Sequence, residues 1–147
     1  LLGQVEGALG HQAAAAAAVD TARAQQRLYR AAATVPDAEA VLFEADHGSP
    51  AAAVELGRRV WRAAPSVRSA DALGWALTRA GRPAAGYRFA VRAVALGSRD
   101  AAFRLHAGIA ASRAGLAGPA ARHLAIAASA QAALAPEPRA LLKEAQR

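Results

Sequence analysis

At 147 residues, with a formal net charge of +7 and no cysteine, the chain suits one domain with a shared core. The absence of cysteine excludes a disulfide framework and any metal site built from thiolates. No apolar run approaches the roughly 20 residues that a membrane-spanning helix needs. The alanine run 13–18 lacks the preceding basic segment of a signal peptide. Because the chain does not begin with Met, we expect a fragment or a processed product, with the cytoplasm as its default location.

The first half of the chain predicts two pairs of helices. Residues 1–33 form one pair that turns at Gly10, and its second helix is long because alanine, glutamine and arginine favour helix. Residues 37–65 form the next pair, which turns at Gly48. Ser49 suits the N-cap of the second helix, and Pro50 suits its first position.

The second half repeats this pattern. Residues 66–97 start at a serine cap and break at Gly81-Arg82-Pro83, where glycine ends one helix and proline opens the next. Residues 98–134 follow, and Gly118-Pro119 is expected to open their second helix. Residues 137–146 predict a short terminal helix that covers the last apolar face.

Glycines recur at a nearly constant step. Gly10, Gly48, Gly81 and Gly115 are separated by 38, 33 and 34 residues. Small residues or valine lie seven positions before each of them, and alanine or glycine lies five positions after. Helices that cross closely leave no room for a large side chain at the crossing. The period therefore indicates four helix-turn-helix repeats.

The stretch 70–98 resembles one tetratricopeptide repeat, through Leu73-Gly74, Gly81, Gly86, Ala93 and Leu96. The runs 42–48, 70–81, 96–100 and 106–108 resemble the C-terminal part of longer actinobacterial tetratricopeptide-repeat proteins. The resemblance implies an all-α fold, a right-handed α-solenoid of TPR-like repeats with a short C-terminal capping helix. It also implies that more repeats precede Leu1 and that the module binds proteins. The repeats are then 1–33 (truncated), 37–65, 66–97 and 98–134, with the terminal helix at 137–146.

In that family the first helices line the concave side, so the repeat register predicts a ligand-binding face. Its members share i, i+4, i+8 spacing within each first helix. They are Leu42, Asp46, Asp71, Trp75, Arg79, Leu105, Ile109 and Arg113. The row of Leu42, Trp75 and Ile109 is the expected apolar middle of this groove. The alternative is that Trp75 and Ile109 pack between neighbouring helices.

Little in the sequence points to catalysis, and we expect neither an enzyme nor a cofactor. His11, His47, His106 and His123 occupy different repeat positions, which predicts surface or helix-end histidines and no metal site. No serine or threonine lies beside a visible base, and no phosphate-binding loop is present. The chain has no asparagine and only one lysine, so the carboxylate clamp of this family's best-known members is excluded.

We therefore expect a non-catalytic scaffold module that binds a protein or peptide. The arginines suggest an acidic-polymer or nucleic-acid binder instead, but they are spread over the chain without interleaved aromatics. We expect Arg59, Arg88, Arg92 and Arg122 on a solvated convex side, with Glu55 paired to Arg59. A purely structural repeat segment is a third possibility. At the truncated N-terminal end we expect either self-association through residues near Leu2, Val5 and Leu9 or fraying of the first helix.

Overall fold

A computed structural model describes residues 2–31, 36–130, 132, 134 and 136–145. These residues form nine α-helices and no strand, so the predicted all-α class is confirmed. The helices are α1 (Leu2–Ala8), α2 (Gln12–Ala31), α3 (Ala38–His47), α4 (Pro50–Ala63), α5 (Val67–Arg79), α6 (Pro83–Val94), α7 (Ala101–Arg113), α8 (Ala117–Ser129) and α9 (Pro136–Ala145).

Side-chain caps fix where several helices begin. The carboxylate of Asp37 accepts the backbone N–H of Ala40 at 2.9 Å, and this bond starts α3. Ser49 caps α4, and Ser66 and Ser69 form a reciprocal capping box at α5. Each cap satisfies N–H groups that have no partner within the helix. α8 differs slightly from expectation because it begins at Ala117, which leaves Pro119 inside its first turn.

Three of the four predicted turn glycines adopt the left-handed conformation. Gly10, Gly81 and Gly115 have φ of 82°, 73° and 76°, a region that glycine enters without steric cost. Gly48 does not, since its φ is −126°. There the side chain of Glu44 reaches past the helix end, and its Oε1 accepts the N–H of Ser49 at 3.0 Å. A side-chain acceptor thus closes the α3–α4 turn.

Small residues let neighbouring helices approach closely. A Cβ atom at Gly74 of α5 would lie 3.0 Å from the nitrogen of Ala90 and the oxygen of Gly86, both in α6. At Gly108 of α7 it would lie 2.7 Å from the Leu124 side chain of α8. At 2.7 Å one partner would have to shift, and a contact of 3.0 Å is tighter than most Cβ atoms make. Gly74 and Gly108, seven positions before two of the turn glycines, therefore mark helix crossings.

Consecutive helices pack as hairpins; the hairpins α3–α4, α5–α6 and α7–α8 pack on one another, whereas the α1–α2 hairpin packs mainly against α9. α1 lies against α2, α3 against α4, α5 against α6, and α7 against α8. α4 packs on α5 and α6 on α7, while α5 also lies directly beside α3 and α7. α9 contacts α7, α8 and α1, and it places Leu142 in the core. This order puts α3, α5 and α7 side by side.

Candidate functional site

A groove of about 970 Å³ lies between the α1–α2 hairpin and the helices α3 and α7. Its walls combine alanine and larger apolar side chains with about as many polar and charged ones. The larger apolar members are Leu2, Val19, Leu42 and Phe43, and the charged or titratable ones are Asp20, Arg23, Glu39, Asp46, His47 and His106. Such a mixture suits a ligand that is held by apolar contact and oriented by a few polar groups.

Trp75 lies beneath this groove, not on its surface. Its side chain is buried, with 1% of the residue exposed. The indole Nε1–H donates to Oδ1 of Asp46 at 2.8 Å. The indole ring stacks on the His106 ring with centroids 4.4 Å apart and an interplanar angle of 15°. Trp75 therefore positions two groove residues and cannot itself contact a bound ligand.

The expected apolar row is not an exposed surface, and the alternative of helix–helix packing holds for most of its members. Leu105 and Ile109 are buried with Trp75 in one core cluster, and Asp71 is buried as well. The physical reason is volume: alanine neighbours leave space between α3, α5 and α7, and the few large side chains fill it.

The remaining residues of the predicted face divide into two groups. Leu42 and Asp46 are half-buried and line the groove. Arg79 is also half-buried. Its Nε–H donates to the carbonyl of Ala45 at 3.3 Å and lies 3.9 Å from Oδ1 of Asp46. Arg113 is exposed and does not line this groove. Arg79 does not line the groove either.

His106 is the residue that the sequence interpretation missed. It is 8% exposed, and its Nδ1 lies 2.9 Å and 3.1 Å from the two carboxylate oxygens of Asp71. Burial alone lowers the pKa of His106, but the charge and hydrogen bond of Asp71 outweigh it, helped by Asp46 and Asp100. The pKa is raised above 6.5. The expectation of surface or helix-end histidines is wrong here, because Asp71 compensates the burial of the ring.

His106 lines the groove while two parts of its ring are already engaged. Nδ1 is held by Asp71 and one ring face is covered by Trp75. Among the residues that the structure describes, none hydrogen bonds to Nε2. Asp46 lines the same groove, and its described contacts, with Trp75 and Arg79, are both to Oδ1. Two groove residues with hydrogen-bonding capacity, the imidazole of His106 and the carboxylate of Asp46, therefore both contact the buried indole of Trp75.

Charge is unevenly distributed over the molecule. Residues 50–130 carry twelve arginines against three carboxylates, an excess of nine positive charges. The groove instead carries three carboxylates and one arginine, and Asp20 is paired with Arg23 at 3.0 Å. Arg23 also donates to the carbonyl of His47 at 2.7 Å, which ties α2 to α3. The groove is thus locally acidic in a basic protein.

The expected convex arginines are exposed, but their predicted ion pair is different. Arg59, Arg88, Arg92 and Arg122 all face solvent. Glu55 pairs with Arg58 at 2.6 Å, so the pair is spaced i, i+3 and does not involve Arg59. An exposed pair of this kind contributes little, about 0–1 kcal/mol.

Other classes of site are not found in the described part of the chain. No group of three or more His, Asp or Glu side chains is placed there to hold a metal ion. No described helix combines the length and apolar character that crossing a bilayer requires.

The sequence matches no protein-family model, and no curated protein or solved structure matches it either. The resemblance to tetratricopeptide repeats thus depends only on the residues quoted for it.

Proposed function

We propose that this chain is a non-catalytic interaction module that binds a segment of a partner protein in the groove between the α1–α2 hairpin and α3 and α7. The observation that carries the proposal is the groove itself, with its volume of about 970 Å³ and its mixed apolar and polar lining. A space of this size accommodates several side chains of an extended or helical segment.

We further propose that the helical hairpins form a right-handed solenoid of the tetratricopeptide type. The glycine steps of 33–38 residues and the adjacent packing of α3, α5 and α7 support it. In such a solenoid the first helices of the hairpins line the inner surface. One wall of the groove lies on α3 and α7, both of which are first helices, and the opposite wall comes mostly from α2, a second helix.

A non-catalytic role also fits the Asp71–His106 pair. An aspartate that orients a histidine is a common part of nucleophilic sites, where a hydroxyl or thiol contacts the imidazole. Here the chain has no cysteine, and no described serine or threonine hydrogen bonds to His106. We therefore assign the pair to structure and binding.

The test uses short random peptides displayed on phage and selected on the purified protein. Ala16 lies exposed on α2 and lines the groove, so Ala16→Trp should fill the groove without disturbing the core. The selected peptides should bind this variant at least about tenfold more weakly. Ala17→Trp is the matched control, because Ala17 is exposed on the same helix but does not line the groove. Equal binding to both variants would refute the proposal.

The second candidate is an acidic-polymer or nucleic-acid binder, and the excess of nine positive charges over residues 50–130 favours it. Phosphate contacts release counterions, so the affinity for a labelled oligonucleotide would fall steeply with salt concentration. Groove binding of a peptide should show a shallow salt dependence. Loss of oligonucleotide binding in Arg88→Ala and Arg122→Ala, with a steep salt slope in the parent, would favour the second candidate.

A further inference from the structure

We propose that Nε2 of His106 and the carboxylate of Asp46 act as a donor–acceptor pair that binds one peptide amide of the segment held in the groove. This inference deepens the proposed function and rests on it. It names the chemical group that the groove recognises at its floor, a backbone amide.

The positions of the two groups follow from Trp75. Its Nε1–H holds Oδ1 of Asp46 at 2.8 Å, and its ring face holds His106 at a centroid distance of 4.4 Å. Both side chains contact the same buried indole and line the same groove, and the charge of Asp46 acts on His106. Binding as proposed requires that one amide reaches both of them. The indole also restricts their motion, so little conformational entropy is lost when a ligand binds.

The chemistry of each group matches one end of an amide. With Nδ1–H donating to Asp71, a protonated His106 presents Nε2–H as a donor, which suits the amide C=O. Asp46 has Oδ1 occupied by Trp75 and uses Oδ2 to accept the amide N–H. Both groups are charged, and charge-assisted hydrogen bonds are roughly twice as strong as neutral ones.

Charged groups from several helices face His106 and set its protonation. Asp71 on α5, Asp46 on α3 and Asp100 at the start of α7 all favour the imidazolium. Arg79 on α5 and Arg23 on α2 are the cations near the groove floor, and both are engaged with α3. As the pH rises through the raised pKa of His106, Nε2 loses its proton and becomes an acceptor that repels the ligand C=O.

The experiment uses the phage-selected peptides, synthesised and measured by calorimetry at about pH 6 and about pH 9. The parent protein should bind at least about tenfold more weakly at the higher pH. His106→Gln keeps a donor toward Asp71 but does not titrate, so its affinity should not follow that change. Asp46→Asn keeps an acceptor for Trp75 but presents an N–H to the ligand, and it should bind about tenfold more weakly at both pH values.

A second measurement alters the peptide and compares its binding to the parent protein and to Asp46→Asn. Each backbone amide of the peptide is methylated in turn, which removes its N–H. One position should lose about tenfold in the parent and nothing further in Asp46→Asn, as expected for two groups that interact. Circular dichroism confirms that both variants fold.

Three results would overturn the inference. The first is a pH profile that is the same in His106→Gln, and the second is a methylation scan with no position coupled to Asp46. In either case groove binding itself could still hold, and only the amide assignment would fail. The third is a failure to select any peptide that depends on the groove, which would remove the proposed function together with this inference.

Discussion

Asp71 of α5 and His106 of α7 form a buried ion pair, with Oδ2 and Nδ1 2.9 Å apart. The pair joins the first helices of two consecutive hairpins across 35 residues of sequence. A buried pair of this kind adds little stability over an apolar packing, but loss of one partner leaves the other charge uncompensated. We therefore expect the pair to determine how α5 and α7 are aligned, in addition to its role at the groove floor.

The pKa values of His106 and His123 should be shifted in opposite directions from 6.5. The pKa of His106 is raised, so this residue contributes stability that is fully present below 6.5 and is lost as the pH rises through the folded-state value. Burial lowers the pKa of His123, and Arg104 and Arg122 lower it further. His123 therefore contributes stability that is present above 6.5 and is lost as the pH falls through its folded-state value.

Proton NMR titration of the imidazole resonances checks this prediction. Resonances of His106 and His123 are assigned with the variants His106→Gln and His123→Gln. Asp71→Asn serves as the test of cause: it should move the pKa of His106 downward and leave that of His123 unchanged. A His106 that titrates below 6.5 in the parent protein would contradict the expected ion pair.

Trp75 should behave as a core residue. Trp75→Ala removes a buried indole and its hydrogen bond to Asp46, and we expect a loss of about 3–5 kcal/mol in the free energy of unfolding. In a Trp61→Phe background the remaining fluorescence should resist quenching by iodide. Trp61 is half-buried, and in a Trp75→Phe background iodide should quench it more readily. Efficient quenching of Trp75 fluorescence would show that the ring is exposed to solvent and would contradict its assignment to the core.

The turn and crossing glycines should respond to substitution for different reasons. A side chain at Gly81 meets nothing within 4 Å, so Gly81→Val costs about 1–3 kcal/mol through the strained φ of 73° alone. Gly81→Asn should cost less, because asparagine tolerates this conformation. Gly118→Ala, at a helical site with room for a methyl group, should change stability little, because the gain in helix propensity is opposed by the steric restriction that Pro119 places on the residue before it. Chemical denaturation measures all three.

Gly74→Ala tests the crossing of α5 and α6. Its Cβ would press on the backbone of α6 at 3.0 Å, so the helices must separate and core contacts of α5 and α6 are lost. We expect a greater loss than in Gly81→Asn. An unchanged midpoint for Gly74→Ala would show that the α5–α6 crossing has room to spare.

The N-terminal helix should promote self-association. Leu2 is 65% exposed, Val5 is also exposed on α1, and Leu9, directly after the end of this helix, is 64% exposed. Apolar side chains grouped in this way favour contact with another protein surface. Sedimentation should detect a concentration-dependent increase in mass, and Val5→Lys with Leu9→Lys should abolish it. Leu96→Lys, at a position 89% exposed and distant in sequence, is the control that should change nothing.

The sequence by itself determined the local structure of this protein. The serine and aspartate caps, the glycines at 10, 81 and 115 and the proline at position 83 act within a few residues of the chain, so their effects could be predicted. The recurring small residues likewise predicted close crossings. Each of these features depends only on backbone conformation and on the size of one side chain.

Only the tertiary structure decided which faces are covered. Helical spacing shows that Asp71, Trp75 and Arg79 share a face, but not what packs against it. Alanine-rich neighbours leave a volume that Trp75 fills. His106 packs on Trp75, and its burial is possible because Asp71 pairs with its ring. The same holds for the α3–α4 turn, where the Glu44 side chain replaces a left-handed glycine. These outcomes depend on groups brought together in space, and sequence spacing within one helix carries no information about them.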